Sequence, residues 1–382
     1  MQSQLYLFII WKNSLHKKDI ILEDIKKKFI IREVFEISWN EKEFENNLKR
    51  FYGSLLSNAS EKAELCGKGS FLLIIISDPN ARIEKRFLDD VNEVDVNLNV
   101  YDCKMKYRKW IGVDFALHAS NSQKETSHDL MLLLGEKVED LEKKLAKKWD
   151  KVIKKKVSEL IGHKKWNNIK QLLDVLNETT NYVILRNFEE LPDKLIHHDI
   201  DILTDDVKSI SNIINESEDA DGKAPITVGD KEILLDFRYQ EGHHYDEKWA
   251  KDILKRRIMY QNKFYVPCDK DYFYTLLYHA IIQRKIREEY KKILCQLARR
   301  NNIHENIEGI LEDFDKSKKI LVDYMSKMGY HRTTIDRRIL YKIRHGEIIR
   351  LINTSIFLTK KYGIRFLLTK IKIKINLMKN GK

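Results

Sequence analysis

Two acids one residue apart carry the first chemical signal: Asp199 and Asp201, in the run Ile196-His197-His198-Asp199-Ile200-Asp201-Ile202-Leu203. On a β-strand alternate side chains share a face. The spacing therefore aims both carboxylates one way and turns Ile200 and Ile202 into a core. Like charges side by side repel unless the strand edge is well solvated or a cation lies between them, and the hard cations Mg2+ and Mn2+ prefer carboxylate oxygen. Asp236 closes the run Glu232-Ile233-Leu234-Leu235-Asp236, reads as part of another strand, and offers a third carboxylate. Arg186 and Arg238 are candidates for donor-phosphate contacts, because the planar guanidinium fork matches phosphate. A salt bridge to the acids is the other use for them. His197-His198 and His243-His244 lack the Cys/His spacing of a zinc site and read as polar rim residues.

The elements that must position these residues follow from periodicity. Leu5 to Ile10, Ile30 to Trp39 and Ser70 to Ser77 read as strands. Asp19 to Phe29, Glu41 to Tyr52 and Thr126 to Leu134 read as helices, and Val94 to Tyr101 as a short extended piece. This order predicts a small α+β sandwich with helices on one face of a sheet. The lysine-dense stretch 138–180 reads as a charged helical linker. Asn181 to Asn187, the Asp-Ile-Asp run, Ile226 to Val228 and Glu232 to Tyr239 read as strands, with a helix over Val207 to Ile214. Asp271 to Arg284, Glu288 to Arg299 and Ile307 to Met328 read as helices.

The chain has 382 residues, long for one core. Its net charge of +12 is matched by 14 Lys/Arg against two acids from Arg332 to Lys382, so the preceding residues balance to zero. That distribution argues against a nucleic-acid cleft in the body. It argues for a basic amphipathic tail, 331–382, on an anionic membrane surface. Cys66, Cys103, Cys268 and Cys295 are scattered, which fits a reducing cytoplasm rather than a disulfide framework or zinc site. No secretory leader and no long apolar span is read, so the expected location is cytoplasmic, peripheral on the inner face of the cell membrane.

Several local motifs in residues 1–137 together resemble a nucleoside diphosphate kinase domain. They are Ile9-Ile10-Trp11-Lys12-Asn13, Phe51-Tyr52-Gly53, Tyr107-Arg108, and Ala116-Leu117-His118-Ala119-Ser120-Asn121-Ser122 followed by Glu125. The resemblance implies a ferredoxin-like sandwich in which His118 carries a phosphoryl group while Lys12 and Arg108 neutralise phosphate charge. That chemistry needs His118 neutral and exposed. Phe115 stands where the family keeps Asn, and Ala119 where it keeps Gly. These departures favour an inherited fold, with nucleotide or phosphate binding retained, over kinase turnover. Such domains often assemble, which implies a homo-oligomer.

The region 181–330 resembles the nucleotidyltransferase superfamily with a DNA polymerase β-like core, of the type found in bacterial surface-polysaccharide loci. The likeness rests on Asp199, Asp201 and Asp236 with Leu185-Arg186-Asn187-Phe188, Leu235-Asp236-Phe237-Arg238-Tyr239 and Tyr274-Thr275-Leu276-Leu277-Tyr278-His279-Ala280. It implies a mixed sheet with helices, and a magnesium-holding set formed by the three acids. The implied activity is transfer of a nucleotidyl or phospho-substituent group, such as a polyol phosphate, from a nucleotide-activated donor to a glycan or lipid-linked acceptor. The Gly-Ser turn that cradles triphosphate in most members is absent before Asp199, which leaves the donor open. The expected fold class is therefore α+β in two domains, with a helical tail.

Overall fold

The computed structural model describes residues 4–53, 56–87, 93–113, 115–219, 222–239 and 244–331. The expected tail, from residue 332 on, and His243 lie outside the described residues. The chain is mixed α+β and divides into two units: residues 1–181 with 208–216 and 226–232, and the remainder.

The first unit runs β1 (Leu5–Ile10), α1 (Lys18–Lys28), β2 (Ile30–Ser38), α2 (Phe44–Tyr52), α3 (Ala59–Cys66), β3 (Ser70–Ser77), β4 (Ile83–Phe87), β5 (Glu93–Asn97), α4 (Leu98–Ile111), β6 (Leu117–Ala119), α5 (Gln123–Leu134), α6 (Val138–Lys144), β7 (Lys154–Val157) and α7 (Ile169–Thr179). Its main sheet has the order β6-β1-β3-β2-β7. The first four strands are antiparallel, and β7 adds in parallel to β2. Tyr6, Phe8 and Ile10 of β1 and Leu72, Ile74 and Ile76 of β3 bury one sheet face against Ile21, Leu22 and Ile25 of α1 and Val100, Cys103 and Tyr107 of α4. The alternate residues Leu5, Leu7, Ile9, Phe71, Leu73 and Ile75 are equally buried, and α5 packs on β1. Helices therefore cover both faces, not the one face expected. This explains why β1 and β3 read as unbroken apolar runs rather than alternating ones.

Three further expectations change here. Residues 98–111, read in part as extended, form α4. Asn97 opens it by accepting from the Asn99 amide, and Gly112 closes it at φ 81°. The stretch 138–180, expected as a helical linker, lies within the first unit and holds β7 between α6 and α7, its register pairing Phe35 with Lys154 and Ser38 with Val157. The first unit also takes residues 208–216, expected with the transferase-like region. Arg50 of α2 is fully buried and donates to the carbonyls of Leu160, Ile161 and Ile213.

The remaining elements are β8 (Tyr182–Ile184), β9 (Asp199–Thr204), α8 (Val207–Ile214), β10 (Lys223–Val228), β11 (Lys231–Tyr239), α9 (Glu247–Lys255), β12 (Ile258–Tyr260), β13 (Phe264–Val266), α10 (Asp269–Ile282), α11 (Glu288–Arg300), α12 (Ile307–Leu311) and α13 (Phe314–Met328). A four-stranded mixed sheet has the order β10-β11-β9-β8. β9 runs parallel to β11 and antiparallel to β8. Ile200, Ile202 and Leu203 of β9 are buried, as alternation and the apolar run require. The long helix read over Ile307 to Met328 is broken into α12 and α13, with Asp313 capping the second by accepting from the Asp315 and Lys316 amides. Among the described residues no helix is long and apolar enough to cross a membrane.

Candidate active site

The β9–β11 register sets Asp201 opposite Asp236 and Asp199 opposite Leu234. Partners abreast on neighbouring strands lie about 5 Å apart and project to one face. Alternation puts Asp199 on that face as well, two residues before Asp201. Asp201 and Asp236 are buried, at 3% and 5% exposure, whereas Asp199 is only partly covered and leads to solvent.

Two guanidinium groups meet the pair. Arg186, beyond the end of β8, reaches Asp201 Oδ1 with Nη2 at 2.5 Å. Arg238, two residues along β11 from Asp236, grips it with both terminal nitrogens, Nη2 to Oδ2 at 2.7 Å. Its Nη2 also lies 3.9 Å from Asp201 Oδ1. Both candidates for phosphate contact are thus salt-bridged to the acids. The Asp201 carboxyl is still held above the usual carboxylate range, because burial outweighs the attraction of Arg186 and Arg238, and Asp236 and Asp199 add repulsion.

Sequence reasoning missed the second layer. His244 and His279 both feel Arg186 and Arg238. Burial, reinforced by those charges, pushes His279 down to about 3 and His244 well below its usual value. Both imidazoles are neutral near pH 7. His244, read as a rim residue, lies ring-edge to Tyr245 and Tyr278. His197 and His198 are exposed, as a rim requires. No pattern in the sequence ties His244 or His279 to the acids; packing around α10 does.

In the first unit Arg108 stays beside His118, whereas Lys12 is engaged elsewhere. Lys12 donates to the Lys68 carbonyl at 2.6 Å and lies 3.6 Å from Glu41. His118 sits opposite Ile9 across β1–β6. It is 6% exposed, not open to solvent as expected. Its Nε2 meets Asp129 Oδ2 at 2.7 Å and lies 3.9 Å from Glu125 Oε1. Phe51 and Tyr52 close over the ring edge-on. Glu125 and Asp129 stand four apart on α5, one turn of one helix face, a spacing that could have flagged them. Burial would raise the Asp129 carboxyl, but His118 and His128 outweigh it and hold it below the usual range.

Three cations fix the strand before this helix. Lys62 donates to the Phe115 carbonyl, Arg108 to Leu117 and Lys104 to Ala119. Burial lowers Lys62 to about 8 and also lowers Lys104. Of the residues expected around His118, Arg108 is held next to it through Leu117, while Lys12 is engaged elsewhere. Arg82 and Arg86 pair with Asp102 and Glu84. The His118, Glu125 and Asp129 atoms are close enough to one another to share a cation.

No family model, curated protein or solved structure matches the chain.

Proposed function

We propose that Asp199, Asp201 and Asp236 form the metal-holding centre of a nucleotidyl- or phospho-group transferase. The observation that carries the reading is the parallel register of Asp201 with Asp236, with Asp199 on the same face and nearer solvent. The donor set is all carboxylate oxygen, which suits Mg2+ or Mn2+ and not zinc. Such a cation, when bound, stabilises charge on the attacking and leaving oxygens of phosphoryl transfer. The chain's own contributions are separate. Arg186 and Arg238 offer forked donors for phosphate. His244 and His279, held neutral, add no positive charge that would compete for the acids.

The resemblance of 181–330 to polymerase β-like nucleotidyltransferases supports this reading, and it is the sole support for surface-polysaccharide assembly, a nucleotide-activated donor and a glycan or lipid-linked acceptor. The sheet order β6-β1-β3-β2, with α1 between β1 and β2 and α4 between β3 and β6, supports a ferredoxin-like, nucleoside diphosphate kinase-like sandwich into which α2, α3, β4 and β5 are inserted. The basic tail supports a peripheral membrane location. Mn2+ binding followed by electron paramagnetic resonance tests the centre. The wild-type chain is expected to bind the ion, and the double substitution Asp199→Asn with Asp201→Asn to lose it. Retained binding in that variant refutes the reading.

A second reading rests on the 2.7 Å His118–Asp129 contact. The carboxylate on Nε2 fixes the ring of His118 and leaves Nδ1 for a phosphoryl group, while the 6% exposure of the ring is less than that chemistry needs. Incubation with labelled ATP should then give acid-labile label that His118→Ala abolishes.

A further inference from the structure

We propose that the outer edge of β7 is a docking surface for an extended, acidic segment of a partner protein, which adds a strand to the five-stranded sheet beyond β7. The surface lies wholly in the first unit and does not depend on the reading of Asp199, Asp201 and Asp236.

β7 ends the order β6-β1-β3-β2-β7. β2 covers one of its edges, and among the described residues no strand covers the other. In a parallel ladder, alternate residues of a strand turn their N–H and C=O towards the same neighbour. The Ser158 amide donates to the Ser38 carbonyl, and that phase turns Lys154 and Lys156 towards β2. Lys155 and Val157 therefore turn their backbone groups outward, where they meet no hydrogen-bond partner among the described residues. Val157 is 86% exposed, and Val152, just upstream, 57%. Open backbone groups beside exposed apolar side chains are what strand addition uses: the main chain gives affinity and the side chains choose the partner.

Charge does the choosing here. Residues 147–156 hold six lysines and one acid, Asp150. Lys154 is engaged with Glu33, and Lys156 with the Leu133 carbonyl. Lys147, Lys148 and Lys155 are exposed and form no ion pair among the described residues. Such an edge turns away neutral and basic strands, a second copy of itself included, because like charges abreast repel. It admits an acidic strand whose carboxylates lie abreast of the lysines, with an apolar residue beside Val157. Nucleic acid fits less well. Trp149, the one aromatic ring in the stretch, donates its Nε1 to the Val152 carbonyl at 2.7 Å and has Lys26 over its face at 5.8 Å. It is not an open platform for base stacking.

The test is fluorescence anisotropy of a labelled peptide of alternating Glu and Val, added to the full chain. The same peptide N-methylated at every amide keeps its charge and loses its ladder donors, and should bind about ten-fold more weakly or worse. The basic tail attracts both peptides alike, so the difference between them reports strand addition alone. Val157→Pro removes one outward amide and leaves the inward ladder and every charge in place. It should weaken binding of the unmethylated peptide by about ten-fold. Equal affinity for the two peptides, or binding of neither, overturns the proposal, and that comparison needs no variant should Val157→Pro not fold. Unchanged affinity in a folded Val157→Pro chain overturns it as well. A thymidine oligonucleotide that binds and is lost in Lys155→Glu, where the peptide does not bind, gives the surface to nucleic acid instead and overturns the choice of a protein partner.

Discussion

At Asp201, burial works against the charge that a metal site needs. A carboxyl whose folded-state pKa is raised binds more protons folded than unfolded, so it lowers stability as pH rises through the window above the usual carboxylate value. Asp201→Asn, which mimics the protonated form, is therefore expected to leave the melting temperature at pH 7 unchanged or raised, while weakening Mn2+ binding about ten-fold or more. A clear fall in melting temperature would contradict the balance drawn between burial and the two guanidiniums. His279 has the opposite sign. Its pKa falls from 6.5 to about 3 on folding, so between those values the unfolded chain holds the extra proton, and stability drops as pH falls. The slope is at most about 1.4 kcal/mol per pH unit. Urea midpoints measured from pH 7 to pH 4 should fall less steeply in His279→Asn than in the wild type.

Among the elements, those with strong periodicity or apolar runs were legible: β1, β3, β9 and the helices α1, α10 and α11 lie within a few residues of where the sequence puts them. The lysine-dense strand β7 was not, because charge density has no period of its own. Its place is set by the edge of β2, where Lys154 pairs with buried Glu33 and Lys156 reaches the Leu133 carbonyl. Lysines on an edge strand also discourage pairing with other chains. α4 was hidden because β5 runs into it without a loop. At the acid site, the carboxylates were legible from a two-residue strand period. Their salt bridges and the His244/His279 layer depend on tertiary packing. The start of α5, at Gln123, lies earlier than the Thr126 that periodicity gave. Ser122 accepts from the Glu125 amide at 3.1 Å, and Glu125 reaches back to the Asn121 amide at 2.7 Å, close to a capping box. Ser122→Ala should cost about 1 kcal/mol, read as a lower denaturation midpoint. Because Glu125 also faces His118, that variant should disturb the His118 ring environment in imidazole NMR shifts.

For the molecule as a whole, the charge distribution separates a neutral body from a tail carrying the entire net charge of +12. Anionic-lipid attraction of about 1 kcal/mol per basic residue near the surface predicts that the full chain sediments with phosphatidylserine vesicles at low salt. Release is expected at about 0.5 M salt, where screening is short-ranged. A chain ending at residue 331 should remain in the supernatant, and equal sedimentation of both chains would rule out the tail as the anchor.

Arg50 sets a condition on how the chain can be made. Its guanidinium takes carbonyls from residues 160, 161 and 213, so the last acceptor lies far along the chain from α2. When the first 181 residues have been synthesised, that acceptor is still untranslated. The N-terminal unit must then wait, incompletely closed, for α8 to arrive, and long-range contacts of this kind slow folding. A fragment cut at residue 181 stays in that unfinished state. Arg50→Met, which removes the demand for the missing carbonyl, is expected to stabilise the fragment while destabilising the full-length chain.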